Sequence, residues 1–490
     1  MKYAALVIAA FLGALGIGFV KFFSLHYLGD EVYQDEGAKG WIIQIISALM
    51  TLGPVLLYPV SAPLAASFSK RMLMSISCIL ITSVLLVGYW TQWTGSLWLY
   101  LFLVGLLISV FGVSKVALIP IEALESKRNT VTVNGVMSIV YVIGMLLGIV
   151  LGTFMYKEWE LKTAFFGGVS IFALCSIFSF IPSYQSENKQ PYKKSLSLLV
   201  EDTLRLFFRY PLYLLTSPLL WGVASAVSLG VTAYIEQKGI SDEIGASIVP
   251  AFAAFGIILG NLVSTKLADR RYTFSTLSAL GIALMLLVGS LFMELLYQNM
   301  NAISVLYWVW AVFMGILGLL FGIHTNLIDA EFLQLAAKDQ REGTGAAMQS
   351  TALALFTFIV GGFVGLAIYT GWMDVVTQFF ILSFISFIAV SLTLILAVQK
   401  GFFYRSLGTI LTYMVKALLS LRYKFSLTSK YIKSINSFTA HIGVGVMIIG
   451  VTYSSVYQKE FNFNMKIGDE VIIENQLLKF DEIKIVDQEN

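Results

Sequence analysis

The chain alternates long apolar runs with short polar breaks. Runs of roughly twenty residues, the length that carries a helix across a bilayer, centre near residues 15, 52, 82, 109, 142, 172, 223, 254, 285, 319, 358 and 386. A thirteenth run, 437–457, follows the polar stretch 400–436. The first run, about 3–27, is too long for the apolar core of a signal peptide and is expected to remain as a span. The longest polar break in the first 400 residues is 185–211. Its second part, LSLLVEDTLRLFF, has the spacing of an amphipathic helix. Near the C-terminus, VIIENQLLKFDEIKIV alternates apolar and polar residues. That period predicts strands with a turn at Glu474-Asn475, an element too small for a stable domain alone.

Composition turns the runs into a class. The chain is 58% hydrophobic and 12% charged, against about 25% charged in soluble domains. It is expected to be an all-α polytopic membrane protein. The net charge of +3 points to no nucleic acid, because the cations sit in short stretches between apolar runs. The break after the first run is acidic. Cations fill the breaks after the second (Lys70, Arg71), fourth (Lys127, Arg128), sixth (Lys189, Lys193, Lys194, Arg205, Arg209) and eighth runs (Lys266, Arg270, Arg271). Positive loops stay cytoplasmic, so the N-terminus is expected in the cytoplasm of a bacterial inner membrane. Residues 400–436 carry seven cations and no acid; the stretch SLGTILTYMVKALLSLRYKF within them reads as a helix lying on anionic lipid. The thirteenth run then exports 458–490, with eight acids against four lysines, as a periplasmic tail.

Six runs, a basic loop and six more runs resemble the major facilitator layout, in which two halves rock about a midplane site. The expected division is 1–184 and 212–399 for the halves, 185–211 for the central loop, 400–436 for a basic linker, then 437–457 and 458–490. The resemblance implies a secondary transporter working as a monomer, and no enzyme. Thr265-Lys-Leu-Ala-Asp-Arg-Arg is similar to that superfamily's loop pattern GxLADRxGR, with threonine for the glycine. It implies a gating charge relay through Asp269 and Arg270. The corresponding first-half stretch, SAPLAASFSKR, has Ala66 where the acid would sit. Gly144, Gly148 and Gly152 recur every fourth residue in the fifth run, which lets a neighbouring helix approach closely. Either the other half or an ordinary neighbour could use that face.

Within the superfamily, FGVSKVALIPIEALESKRNTVTVNGVMSIVYVIGMLLGIVLG resembles the fourth-to-fifth-span region of the bacterial lysophospholipid transporters. Lys115, Asn134 and Gly135 match, Glu122 lies one residue out of register, and Val116 replaces a tyrosine. FLGALGIGFVK resembles that family's first span at Phe11, Leu12, Gly13, Ala14 and Lys21, with Gly16, Ile17 and Gly18 in place of its Asn-Asp-Asn core. The resemblance spans about residues 5–395 and implies an amphiphilic substrate or membrane lipid. Charges inside spans usually face a cavity, and a lysine pair can hold a phosphate as point charges. Lys21, Lys115, Glu122, Asn134 and Asn326 are the candidate substrate residues. Glu122, seven residues on, could instead neutralise Lys115. Asn326, Asp329 and Glu331 close the tenth run, where helix-end roles facing water are the alternative. His324 reads as a hydrogen-bonded packing residue and His26 as interfacial. Cys78 and Cys175 show no zinc or redox spacing and read as core or lipid-facing residues.

The C-terminal segment resembles a different family, the CcmF-type haem-lyase subunit of cytochrome c maturation. His441, Ile442 and Gly443 open the run. Ile449, Gly450 and Ser454 follow, then Met465, Gly468, Asp469, Val471 and Ile473. That resemblance implies His441 as an axial ligand of haem b, with cytochrome c maturation proteins as partners. The family's tryptophan-rich segment and its other histidines have no counterpart here. No cofactor or metal is expected for the body. A component of cytochrome c maturation that handles haem, or docks to the haem-lyase complex, is the alternative to a transporter.

Overall fold

The computed structural model describes residues 2–27, 36–91, 97–158, 161–182, 184, 187, 189–240, 243–299, 303–363, 367, 374–398, 470–473 and 476–479. The thirteenth run, His441 and the linker 400–436 lie outside the described residues, as does the side chain of His26. The chain divides into two units, Met1–Lys424 and Phe425–Asn490.

Every secondary-structure element among the first unit's described residues is helical. Its helices are α1 (Lys2–Tyr27), α2 (Glu36–Ser67), α3 (Lys70–Thr91), α4 (Leu97–Glu125), α5 (Thr130–Glu158), α6 (Leu161–Phe180), α7 (Tyr192–Arg209), α8 (Pro211–Gln237), α9 (Glu243–Lys266), α10 (Arg271–Asn299), α11 (Ile303–Lys338), α12 (Glu342–Phe356) and α13 (Val375–Val398). A 3-10 turn, Ala268–Arg270, precedes α10, and α12 runs on into a π-helical turn, Thr357–Gly361. Each of the first twelve apolar runs is centred on this helical backbone. Among the described residues, nine helices are long and apolar enough to cross a membrane. Shorter apolar stretches, Leu52–Ser67, Phe165–Phe180 and Ala251–Lys266, lie in α2, α6 and α9.

The packing repeats. In the first set, α1 packs on α5, α2 on α4, and α3 on α6. In the second, α8 packs on the π turn that continues α12, α9 on α11, and α10 on α13. Each set has its own apolar core. The first gathers Phe19, Met74, Phe111 and Phe172; the second gathers Tyr234, Trp310, Met314 and Phe379. The sets meet where α2 packs on α12 and α5 on α9 and α11. Between them runs α7, the amphipathic helix of the central loop, burying Ser195, Asp202 and Leu206. It starts directly after Pro191, whose missing N–H costs nothing there.

Glycines explain how closely the helices approach. A Cβ at Gly144 would lie 2.5 Å from the Phe11 carbonyl oxygen, and one at Gly152 2.7 Å from that of Phe19. At Gly148 it would collide with the Leu15 carbonyl oxygen. The glycine face of α5 therefore belongs to α1 in its own half, not to the other half. The second set repeats the device between α9 and α11. A Cβ at Gly256 would meet the Gly315 carbonyl, at Gly260 that of Leu319, and at Gly318 that of Ala253. Without water to drive apolar surfaces together, such backbone contact is what makes helices associate in lipid.

In the second unit, Glu470–Ile473 pairs antiparallel with Gln476–Lys479. The register opposes Val471 to Leu478 and Ile473 to Gln476. Glu474 and Asn475, where alternation places the turn, lie outside the described residues.

Gly148→Ala should destabilise the protein by about 1–3 kcal/mol, the usual cost of overpacking. Gly112→Ala, with open space around its Cβ, should leave it unchanged. Thermal unfolding of the two purified variants in detergent checks the difference.

Candidate functional site

The breaks that carry the basic residues all lie at one end of the helix bundle, called here the basic end. Polar side chains join the two sets on that side. Asn134 Nδ2 on α5 donates to Asn326 Oδ1 on α11 at 2.8 Å. Asn326 Nδ2 in turn donates to Ser264 Oγ at 2.6 Å and to the Val131 carbonyl at 3.2 Å. One turn deeper, Asn261 Nδ2 on α9 donates to Ser138 Oγ on α5 at 3.0 Å. Gly135 leaves room for this cluster, since a Cβ there would lie 2.9 Å from Asn326 Nδ2. On the other side of the bundle, Thr351 Oγ1 on α12 donates to the Pro54 carbonyl on α2 at 2.9 Å. An amide buried in an apolar helix must find a partner or lose several kcal/mol. Asn134, Asn261 and Asn326 each find at least one such partner in the opposite set. Asn134 and Asn326, expected as substrate groups, are therefore bonded to one another as parts of a seam.

Ion pairs close the same end. Lys70 Nζ, at the start of α3, lies 3.6 Å from Glu342 Oε1 at the start of α12, with side chains 0% and 7% exposed. Arg341 Nε donates to Asp202 Oδ1 on α7 at 2.7 Å. Arg209, at the end of α7, donates to both oxygens of Asp339 at 2.7 and 2.9 Å. The Tyr210 hydroxyl adds a third bond to Asp339 at 3.1 Å. Burial, with the Asp339 carboxylate beside it, pushes the Tyr210 hydroxyl up to about 12, so it remains a donor. On its other face α7 bonds α2 through Ser67 Oγ, which donates to Ser195 Oγ at 2.9 Å, and through the Tyr58–Thr203 pair. The central-loop helix thus ties both sets together.

The ion pair in this loop lies one residue beyond the residues expected to gate it. Asp269 and Arg270 are exposed, and among the described residues neither forms an ion pair. The next residue, Arg271, pairs with Glu331, which also accepts from the Tyr272 hydroxyl at 3.2 Å. The 3-10 turn over Ala268–Arg270 accounts for this, because it leaves Arg271 to begin α10 beside α11. The repeat offered only the LADRR motif as a signal. The acids that pair, Asp202, Asp339 and Glu342, belong to no motif.

Lys21 and Lys115 are partly buried within α1 and α4. Lys115 Nζ sits 4.2 Å from the centre of the Tyr141 ring on α5. Among the described residues neither lysine forms an ion pair. Glu122 is buried at the basic end of α4, beside Tyr184. Burial, and next the Glu122 carboxylate, push the Tyr184 hydroxyl above its usual range. Among the described residues Glu122 forms no ion pair with Lys115, two turns away. Cys78 on α3 and Cys175 on α6, remote in sequence, are both buried, with Sγ atoms 3.4 Å apart. His324 is buried with Nδ1 2.9 Å from the Ser275 carbonyl, a packing role. Among the described residues no cluster could hold a metal ion.

A bundle of two equivalent helix sets, joined at one end by a polar seam, has the architecture of an alternating-access transporter. The sequence matches the Major Facilitator Superfamily over residues 6–359, and the chain belongs to that superfamily. Its fold is similar to the human organic anion transporter MFSD10 (TETRAN), with a TM-score of 0.61 and 9% identity over 80% of this chain and 98% of that one. It is also similar to the Major Facilitator Superfamily transporter FucP in the outward conformation (TM-score 0.62, 12% identity, 80% and 98% covered). A third likeness is to the proton:xylose symporter XylE (TM-score 0.57, 12% identity, 81% and 95% covered). No curated protein matches the sequence. The chain is a membrane-embedded secondary transporter and not an enzyme.

Removing one partner of a buried ion pair costs about 3–5 kcal/mol. Glu342→Gln should therefore loosen the basic end. With spin labels at positions 127 and 266, on the rims of the two sets, the variant should populate longer distances by about tenfold or more over the native protein, which needs only about 1.4 kcal/mol of that cost to fall on the closed state. Pulsed electron-spin distance measurements check this.

Proposed function

We propose that the protein moves an amphiphile with an anionic head group, a lysophospholipid being the leading case, across the bacterial inner membrane by alternating access. The observation that carries this reading is the Lys115 ammonium. It lies inside an apolar helix, rests on the Tyr141 ring and has no carboxylate partner among the described residues. A cation in such surroundings costs several kcal/mol unless an anion meets it. An aromatic face supplies part of that stabilisation while leaving the charge available. Lys21 on α1 offers a second cation of the same kind. The resemblance of residues 5–395 to lysophospholipid transporters includes these two lysines, with Phe11, Leu12, Gly13, Ala14, Asn134 and Gly135. FucP and XylE are named as proton symporters of sugars and MFSD10 as an organic anion transporter. At 9–12% identity they share the fold alone, so the choice of an anion rests on the lysines.

The closed seam at the basic end supports a second part of the reading. The excess of Lys and Arg in the loops at that end supports a cytoplasmic location for it, and on this reading the described conformation is the one shut towards the cytoplasm. Transport then requires the Asn134–Asn326 bond and the Lys70–Glu342 pair to part, while the glycine-packed pairs α1–α5 and α9–α11 move as rigid pieces.

Uptake of labelled lysophosphatidylethanolamine into vesicles containing the full-length protein tests the substrate. The native protein should exceed protein-free vesicles, and Lys115→Met should lose about tenfold or more, as expected for a charged contact of about 1.5–3 kcal/mol. Uptake no faster than in empty vesicles would sink the lipid assignment. Full activity of both Lys115→Met and Lys21→Met would sink the head-group role.

A further inference from the structure

We propose that the exposed flank of α7, with the α2–α3 turn beside it, is a docking surface for anionic phospholipid of the surrounding bilayer. The helix buries one stripe, Ser195, Asp202 and Leu206, against the bundle. A second stripe, Tyr192, Leu196, Val200 and Phe207, is apolar and exposed, with Leu196 at 48% and Val200 at 60%. At 3.6 residues per turn these four positions fall within an arc of about 80°. A helix that met only the bundle and water would be polar on that side. The central-loop helix therefore carries two distinct faces, and the bundle uses one of them.

Contacts fix where the second stripe begins. The Gln190 N–H donates to the Ala66 carbonyl at 3.1 Å, and the Lys70 N–H donates to Glu187 Oε1 at 3.2 Å. The start of α7 is thereby held on the turn between α2 and α3. There the Tyr192 ring lies 6.2 Å from the ring of Phe68, which is itself exposed. Past Phe68, α3 exposes Met72, Ile76 and Ile79 along one face of a helix long and apolar enough to cross a membrane. Through Tyr192 and Phe68 the stripe on α7 is continuous with a face that lipid chains must cover.

Cations stand where head groups would lie. Lys193 and Lys194 are exposed in the first turn of α7. Arg71, at the start of α3, holds its guanidinium 5.3 Å from the centre of the exposed Phe180 ring. Among the described residues none of the three forms an ion pair. The acids buried nearby are engaged, Asp202 by Arg341 and Glu187 by Lys189. Glu201 is exposed but lies outside the arc of the stripe. Arg71 and Lys193 flank the Phe68–Tyr192 contact in sequence. A phosphodiester drawn to those two cations would let its chains run down the exposed face of α3.

This continuity and this charge favour lipid over a water-soluble partner. Such a partner would have to cover a stripe whose end merges with lipid-facing side chains, whereas the bilayer covers both at once. Buried apolar area combined with attraction of basic residues to anionic lipid is what binds a helix in the head-group layer. Each Lys or Arg near the surface strengthens that attraction about fivefold. The inference rests on the chain's spanning a bilayer. It uses neither Lys21 nor Lys115 and is independent of the lysophospholipid assignment.

The test uses the full chain in vesicles of phosphatidylcholine and phosphatidylglycerol mixed equally. Nitroxide labels at positions 196 and 200 should be relaxed more by oxygen, which concentrates in lipid, than by a water-soluble nickel chelate. A label at 201 should show the reverse. Native mass spectrometry should find phosphatidylglycerol retained over phosphatidylcholine, and Arg71→Gln combined with Lys193→Gln should lower that preference about fivefold or more. Lys266→Gln, at an exposed cation of the same end, and Lys115→Met should both keep it. The label measurement needs no charge variant, so the surface stays testable if the double variant folds poorly. Nickel access at 196 and 200 equal to that at 201 would overturn the docking surface. Shielding of both positions from both reagents would overturn it too, by assigning the stripe to a protein partner. A lipid preference unchanged in the double variant, or lost in Lys115→Met, would overturn the head-group site. None of these outcomes bears on lysophospholipid uptake, so this inference and the substrate assignment fail separately.

Discussion

A polar group taken into an apolar helix must find a partner, and the architecture of this transporter follows from where those partners stand. Asn134, Asn261 and Asn326 sit in helices otherwise built of aliphatic and aromatic residues. Each makes at least one side-chain hydrogen bond to the opposite helix set. The same holds for Lys70 and Glu342, buried together at the basic end. The bonds that satisfy these groups are also the bonds that hold one end of the molecule shut. Because the partners sit on separate sets, satisfying them and opening the molecule are in competition, which is the physical basis of a two-state device.

The seam can break without the halves dissolving because the halves are held by something else. Backbone-to-backbone contact through Gly144, Gly148 and Gly152, and through Gly256, Gly260 and Gly318, joins helices within each set. These contacts carry no charge and need no water, so hydration of the seam leaves them intact. The π turn at Thr357–Gly361 is the exception, a local irregularity packed against α8 where Gly222 makes room. Such turns disturb the helical ladder without ending the helix.

The central helix α7 adds a second layer. Its buried stripe of Ser195, Asp202 and Leu206 follows from amphipathic spacing that is plain in the sequence. Its role does not. Asp202 meets Arg341, and Arg209 meets Asp339, so the linker between halves is bonded to the second set while Thr203 and Ser195 hold the first. Opening the basic end must therefore release α7 from one side or the other.

The twelve apolar runs, the amphipathic linker and the basic loops were legible because each is a local property: hydropathy over twenty residues, period over a dozen, charge over a loop. Lys21 and Lys115 were legible as charges in apolar surroundings, and Gly148 as one of a spaced series. What those residues touch was not. The glycine face of α5 turned out to serve α1. The substrate candidates Asn134 and Asn326 turned out to bond each other, and beside the expected relay residues Asp269 and Arg270 the ion pair forms between Arg271 and Glu331. Cys78 and Cys175, ninety-seven residues apart, came into contact although nothing near either of them signals it. A linear sequence determines how much of the chain must leave water and which end of the bundle carries positive charge, because those energies are summed locally. Only the tertiary structure decides which buried amide meets which and which acid meets which cation. Those pairings are set by helices that approach one another from more than a hundred residues away.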